Sequence, residues 1–260
     1  MVQLLVVGGG KMGEALLGGL LAGGWAAPEA VCVVEPVAAR RAELVERFPG
    51  LGVSEAPVSA QGAVVAVKPQ QVVDVCRSLG ELGIGRVLSI AAGVRTTSIE
   101  AVLPSGTAVV RAMPNTPALV GQGAAAIAAG SAAGAADLDW AEGILAAVGT
   151  VVRVGEDKID AVTGLSGSGP AYVFLVAEAL VDAGVLVGLP RDVSTDLAVQ
   201  TLRGAAELLA TGTPAAELRA AVTSPGGTTA AGLRALENAG VRAAFIDAVA
   251  AAVARAGELG

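Results

Sequence analysis

The 260-residue chain predicts an α/β domain followed by an all-α one, and three observations carry that prediction. Short apolar runs alternate with stretches of helical spacing up to about residue 113, the alternation that builds a parallel sheet covered on both faces. A glycine-rich loop lies directly between the first apolar run and the first helical one. Beyond about residue 150 the strand signals stop and only helical spacing continues. The length suits two cores, and 53% hydrophobic against 16% charged residues suits a packed globule.

The elements follow in order. Residues 2–7 (VQLLVV) form a first strand, and Met12, Leu16, Leu17, Leu20 and Leu21 then follow helical spacing. A strand at 30–35 (AVCVVE), an Arg- and Glu-rich helix at 37–48 and a strand at 63–67 (AVVAV) come next. Val72, Val75, Cys76 and Leu79 mark another helix, and strands at 86–90 (RVLSI) and 107–113 (TAVVRAM) continue the series. The segment VVRVGED at 151–157 marks the boundary, giving domains 1–154 and 155–260. The second domain reads as helices at 158–187, interrupted at Gly167, Gly169 and Pro170, then at 191–210, 214–222, 227–239 and 241–258. Ala, Leu and Val cover nearly every face of these helices. Such a domain is expected to pack on a second copy of itself rather than stand alone as a bundle.

Composition excludes several function classes. The net charge is −7 and the basic residues are scattered, so a nucleic-acid partner is not expected. The chain enters a strand pattern without a basic, then apolar, leader, which points to the cytoplasm. The longest uncharged stretch, between Arg111 and Asp137, is broken by Pro114, Asn115, Pro117, Gln122 and four glycines, so no membrane association is expected from it. Cys32 and Cys76 are far apart and there is no histidine, so no metal site is expected and both thiols read as buried and structural.

The first loop, GGGKMG at 8–13, places Gly8, Gly10 and Gly13 at the G-x-G-x-x-G spacing, with Gly9, Lys11 and Met12 completing it. Between a strand and a helix, this spacing permits a tight turn and lets a pyrophosphate approach the main chain at a helix amino end. The expectation is a Rossmann-like dinucleotide-binding domain that takes NADPH or NADH. Glu35, at the end of the second strand, is placed to accept hydrogen bonds from an adenosine ribose and favours NADH, whereas Arg40 and Arg41 could meet a 2′-phosphate. Two more loops leave the carboxyl ends of strands. In AVKPQ, Ala66, Val67, Lys68 and Pro69 are candidate cofactor contacts, Lys68 being one of only three lysines. In AMPNTP at 112–117, prolines stiffen a loop that could present the Asn115 amide to a nicotinamide.

GGGKMG, AVKP, AMPNTP, GLSGSGPAY (164–172), DAGVLVGLPR (182–191) and TSPGGTT (223–229) occur in this order along nearly the whole chain. Together they resemble the pyrroline-5-carboxylate reductase family. The resemblance implies NAD(P)H-dependent reduction of L-1-pyrroline-5-carboxylate to L-proline, the last step of proline biosynthesis, and an intertwined dimer of helical domains, sometimes assembled into a higher homo-oligomer. It places the substrate carboxylate at Ser224, Gly226, Gly227 and Thr228, and the ring nitrogen at Thr229, which becomes the catalytic candidate. A turn of free N–H groups at a helix start suits a small carboxylate. The plainer reading of Ser224 is an N-cap. The absence of histidine agrees with imine reduction, because a protonated imine already carries the charge that lets its carbon accept hydride.

Two rival readings are weighed at named residues. GLSGSGPAYV also resembles the G-x-x-G-x-G-x-x-x-K segment of β-hydroxyacid dehydrogenases, but Val173 stands where they carry lysine. A non-catalytic dinucleotide sensor would use the loop at 8–13 and leave the turn at 224–229 without a purpose.

Overall fold

A computed structural model describes residues 2–259. The chain divides into two compact units, one of Met1–Ser168 with Ala251–Gly260 and one of Gly169–Ala250.

The first unit is built on an eight-stranded sheet in the order β3-β2-β1-β4-β5-β6-β7-β8. Its strands are β1 (Val2–Val7), β2 (Val31–Val34), β3 (Gly52–Ser54), β4 (Ala60–Val65), β5 (Arg86–Ser89), β6 (Ala108–Met113), β7 (Gly123–Ala129) and β8 (Gly149–Arg153). Helices α1 (Lys11–Ala22), α2 (Ala38–Arg47), α3 (Val72–Glu81), α4 (Thr96–Glu100) and α5 (Ala135–Leu145) cover it, followed by the short α6 (Ile159–Val162). Successive residues of β1 serve opposite faces, as the pleat requires. Leu4 and Val6 join a buried cluster with Leu16, Leu17 and Leu20 of α1. Leu5 and Val7 join another with Val72, Cys76 and Leu79 of α3. Burial on both sides is why these strands read as unbroken apolar runs.

The structure corrects the sequence reading of the sheet in three respects. The sheet is not wholly parallel, since β7 runs antiparallel to β6. Three strands were not foreseen. β3 is only three residues long, and β7 (GAAAIAA) has, apart from Ile127, only Gly and Ala with little intrinsic strand preference, held there by pairing on both sides. β8 occupies the segment taken as a boundary and pairs parallel to β7. The strand expected at 63–67 runs instead from Ala60 to Val65, so Ala66 and Val67 begin the loop that leaves it.

β1 lies between β2 and β4, so the chain winds away from β1 in both directions. Loops diverge at such a point and leave a crevice at the carboxyl ends of the strands.

The second unit contains α7 (Gly169–Leu186), α8 (Arg191–Ala210), α9 (Ala215–Ala221) and α10 (Thr228–Asn238), and α11 (Val241–Leu259) begins in it. The expected interruption before α7 is a π turn over Thr163–Gly167, closed by Ser168 N–H donating to Thr163 O at 2.8 Å. Helices α7 and α8 approach closely at Gly184, where a Cβ would stand 2.0 Å from Ser194 Oγ. That hydroxyl donates to Val181 O at 2.8 Å. None of the side chains of α7 is fully buried, and Phe174, Leu175, Leu186 and Val187 are exposed. By length and hydropathy alone, the run Glu156–Leu186 would suffice to cross a membrane.

Candidate active site

Three glycines set the geometry at the end of β1, each for its own reason. Gly8 has φ +110°, and a Cβ there would meet Ala66 O at 2.6 Å. Gly13 lets α1 close on the loop, where a Cβ would stand 2.1 Å from Gly8 O. At Gly10 a Cβ would meet nothing within 4 Å, so the main chain there borders open space just before the amino end of α1. Tight turn, close helix packing and an unobstructed main chain are what a pyrophosphate-binding loop needs of its three glycines. A dinucleotide therefore fits this loop.

A cavity of about 510 Å³ opens beside it, lined by Gly8, Gly10, Glu35, Ala66, Val67 and Lys68 among the residues singled out from sequence. Glu55, Gln71 and Asp74 line it too, and sequence reasoning missed them. Glu55 follows the unforeseen β3, whereas Gln71 and Asp74 stand where AVKPQ runs into α3, a continuation that the motif itself points to. The Glu35 carboxylate is fixed by the main chain, accepting from Gly9 N at 3.2 Å and Val37 N at 2.9 Å. Lys68 is exposed and makes no ion pair among the described residues.

Other sequence candidates stand apart from this cavity. Gly9 is buried against Leu44, Met12 packs into the core beneath α1, and Pro69 begins a 3₁₀ turn after Lys68. Lys11 lines a separate hollow of about 420 Å³ with Glu14, Arg47 and Leu119. Asn115 is a buried clasp, its Oδ1 accepting from Ala124 N at 2.8 Å and its Nδ2 donating to Ser166 O at 3.0 Å. Its amide thus ties the loop after β6 to β7 and to the π turn. Arg111 is almost wholly buried, with Nη1 3.5 Å from Glu156 Oε1 and Nη2 3.2 Å from Asp160 Oδ1, while its Nε has no partner among the described residues. Glu156 also accepts from Thr96 N at 2.7 Å and Thr96 Oγ1 at 2.6 Å, capping α4. Burial pushes the Glu156 carboxyl up, but these two hydrogen bonds and the Arg111 charge outweigh it and hold the group below its ordinary range.

Burial pushes both thiols upward, Cys76 to about 12, so they are inert packing groups in the sheet core.

In the helical unit, Ser224-Pro225-Gly226-Gly227 forms a β-turn with Gly227 N–H donating to Ser224 O at 3.0 Å. Pro225 sets the first corner and Gly226, at φ +70°, the second, as a type II turn demands. A Cβ on Gly227 would stand 2.3 Å from Ser224 Oγ. Gly227 caps α10 and no side chain bonds to the cap, so the N-cap role considered for Ser224 is not taken up. The main-chain N–H groups of the first turn, from Thr228 onward, lack intrahelical acceptors. Of the four hydroxyls in TSPGGTT, that of Thr223 is spent on Arg219 O at 2.6 Å. A hollow of about 300 Å³ beside the turn is lined by Gly226, Gly227, Ala230, Ala231 and Arg234, but not by Ser224, Thr228 or Thr229. Arg234 was not foreseen. It lies seven residues beyond Gly227, on the same helix face.

A doubly wound sheet with a glycine cradle and a cavity at its switch point defines a dinucleotide-binding protein. Residues 3–93 match the family model described as NADP oxidoreductase, coenzyme F420-dependent, and residues 156–259 match that described as pyrroline-5-carboxylate reductase dimerisation. A pyrroline-5-carboxylate reductase of Synechocystis is 48% identical, the match covering 100% of this chain and 98% of that one. The solved structure of a pyrroline-5-carboxylate reductase from Coxiella burnetii superposes with a TM-score of 0.94 at 38% identity, covering 100% of this chain and 98% of that one. The Plasmodium falciparum reductase, solved with NADP bound, gives 0.86 at 29% identity over 100% and 98%. This chain belongs to the pyrroline-5-carboxylate reductase family.

Proposed function

We propose that residues 1–154 hold the dinucleotide and residues 155–260 hold the substrate and pair the chains, in an enzyme that reduces L-1-pyrroline-5-carboxylate to L-proline as the last step of proline biosynthesis. The observation that carries the substrate half is the turn at 224–227, a helix start that no side chain closes. When bound, NADH or NADPH supplies the hydride.

The chain's own residues have a limited task. Main-chain N–H groups of Thr228 and Thr229, with the Ser224 hydroxyl, donate to the ring carboxylate, while Gly226 and Gly227 let it approach the main chain. The partial positive charge at the start of α10 favours that anion. The Thr229 hydroxyl orients the ring nitrogen. Hydride added to a protonated C=N gives the neutral ring amine directly, so no proton need leave or arrive in that step. An enzyme without histidine can therefore work by placement alone. Within the first unit, Gly8, Gly10 and Gly13 shape the pyrophosphate cradle, Glu35, Ala66, Val67 and Lys68 line the dinucleotide cavity, and Asn115 holds the loop after β6. Gly9, Lys11 and Met12 complete the loop and the amino end of α1 that would receive the pyrophosphate, and Pro69 follows Lys68 at the edge of the same site.

The hydroxyacid dehydrogenase reading is not favoured, because Val173 cannot serve as the base that alcohol oxidation needs. We further propose a cytoplasmic homodimer with no nucleic-acid or membrane partner, the exposed apolar faces of α7 and α8 meeting those of a second chain.

The test is consumption of NADH or NADPH by the purified protein with pyrroline-5-carboxylate, read together with proline formed. Absence of turnover with either would overturn the reading. Thr229→Ala should keep dinucleotide binding and lose about tenfold or more in kcat, the cost of one oriented hydrogen bond. An unchanged kcat would remove Thr229 from the site.

A further inference from the structure

The first turn of α2, just beyond β2, carries two arginines, and their geometry bears on which dinucleotide enters. Arg40 is occupied at every nitrogen: Nε donates to Gly9 O at 2.8 Å, Nη1 to Glu43 Oε2 at 2.9 Å, and Nη2 to the Glu14 carboxylate. Arg41 is turned onto the main chain, its Nη1 donating to Glu35 O at 2.7 Å and Pro36 O at 2.9 Å, and its Nη2 lies 3.7 Å from Glu55 Oε2. Neither guanidinium lines the cavity. Three carboxylates do, those of Glu35, Glu55 and Asp74, against the single ammonium of Lys68.

In a sheet of this winding the adenosine ribose lies at the end of β2. A free 2′-hydroxyl there can donate to the Glu35 carboxylate. A 2′-phosphate brings a charge of about −1.5 to −2 against Glu35 and Glu55, with both arginines already committed. We infer that this chain selects dinucleotides with a free 2′-hydroxyl, NADH over NADPH, through the carboxylates of Glu35 and Glu55 and the retention of Arg40 by Glu14 and Glu43. The inference rests on the proposed dinucleotide cavity. NADP in the Plasmodium relative belongs to that protein, whereas the ion pairs argued from belong to this one.

The experiment is a direct binding titration of the full chain, without substrate, using NADH, NADPH, 5′-AMP and 2′,5′-ADP. NADH should bind at least about tenfold tighter than NADPH, and 5′-AMP tighter than 2′,5′-ADP, with both ratios shrinking as salt is raised and like-charge repulsion is screened. Glu55→Gln and Glu35→Gln should each narrow the NADH to NADPH ratio, mainly by tightening NADPH. Glu14→Gln should tighten NADPH by about threefold or more while leaving NADH within about twofold. Equal or tighter binding of NADPH by the unaltered chain overturns the selectivity and leaves the cavity standing. An unchanged ratio in both Glu35→Gln and Glu55→Gln, in variants that still bind NADH, overturns the assigned determinants. Binding of none of the four ligands by folded protein overturns the cavity reading and the selectivity together.

Discussion

Gly10 and Gly13 lie in one loop, yet a methyl group at each should fail for opposite reasons. At Gly13 the added Cβ would stand 2.1 Å from a main-chain oxygen of Gly8, so α1 must move away from the sheet. Gly13→Ala is expected to lower stability by about 1–3 kcal/mol, the usual cost of overpacking, and thermal unfolding would show it. At Gly10 nothing among the described residues beyond the adjoining ones is within 4 Å of the added Cβ, so Gly10→Ala should unfold like the parent. Its Cβ would instead occupy the space a pyrophosphate needs. The expected result is a dissociation constant for NADH raised about tenfold, or about 1.4 kcal/mol, in titration of the pure protein. If Gly10→Ala bound NADH as tightly as the parent, the cradle would not be where the dinucleotide lies. The sequence spacing identified these glycines as a set. Their different tasks became visible only when each was seen against its neighbours.

At the level of elements, what was legible depended on whether an element's signal is local. β1, the glycine loop and α1 carry their own periodicity, and the long helices of the second unit were expected within a few residues of where they lie. β3, β7 and β8 carry almost none and exist through pairing with neighbours. The cluster around Arg111 was equally invisible, since this arginine sits in an apolar strand and meets carboxylates 45 and 49 residues further along. Glu156 joins β6 to the start of α4, and its titration gives that link a pH signature. Its carboxyl is held below the ordinary 4.5 in the folded chain. The stabilisation it gives is therefore full above about pH 4.5 and is lost as pH falls through the lowered value. Glu156→Gln should flatten the acid limb of stability against pH, measured by denaturant melts between about pH 3 and 6. An unaltered limb would show that the pair contributes nothing measurable. A second link, between α7 and α8, depends on Gly184. Gly184→Ala would drive a Cβ to 2.0 Å from Ser194 Oγ, at the donor of the bond to Val181 O, and should cost about 1–3 kcal/mol in the same melts.

For the whole molecule, the governing fact is the distribution of apolar surface. The sheet unit holds nearly all of the fully buried aliphatic side chains, Leu4, Leu16, Leu88 and Ile144 among them, whereas the helical unit leaves Phe174, Leu175, Leu186, Leu197 and Ile246 in the open. So many large apolar side chains left in the open on one small unit call for a cover. Membership of the reductase family, with a dimerisation model matching 156–259, makes a further copy of the chain the cover. The same apolarity gives Glu156–Leu186 the look of a membrane span, so the two explanations compete for one set of residues. They part at Phe174 and Leu175, which are 61% and 66% exposed. A charge buried without a partner at a chain-to-chain interface is costly. Phe174→Glu with Leu175→Glu should therefore convert an oligomer to single chains in sedimentation, without detergent, and abolish turnover. NADH binding should survive, because every residue lining the dinucleotide cavity lies between Val7 and Ser78, in the other unit. If the altered chain kept its oligomeric mass, those side chains would not be at the interface. If the unaltered chain remained dispersed only in detergent, the apolar run would be answering to lipid, and the proposed pairing of helical domains would fail.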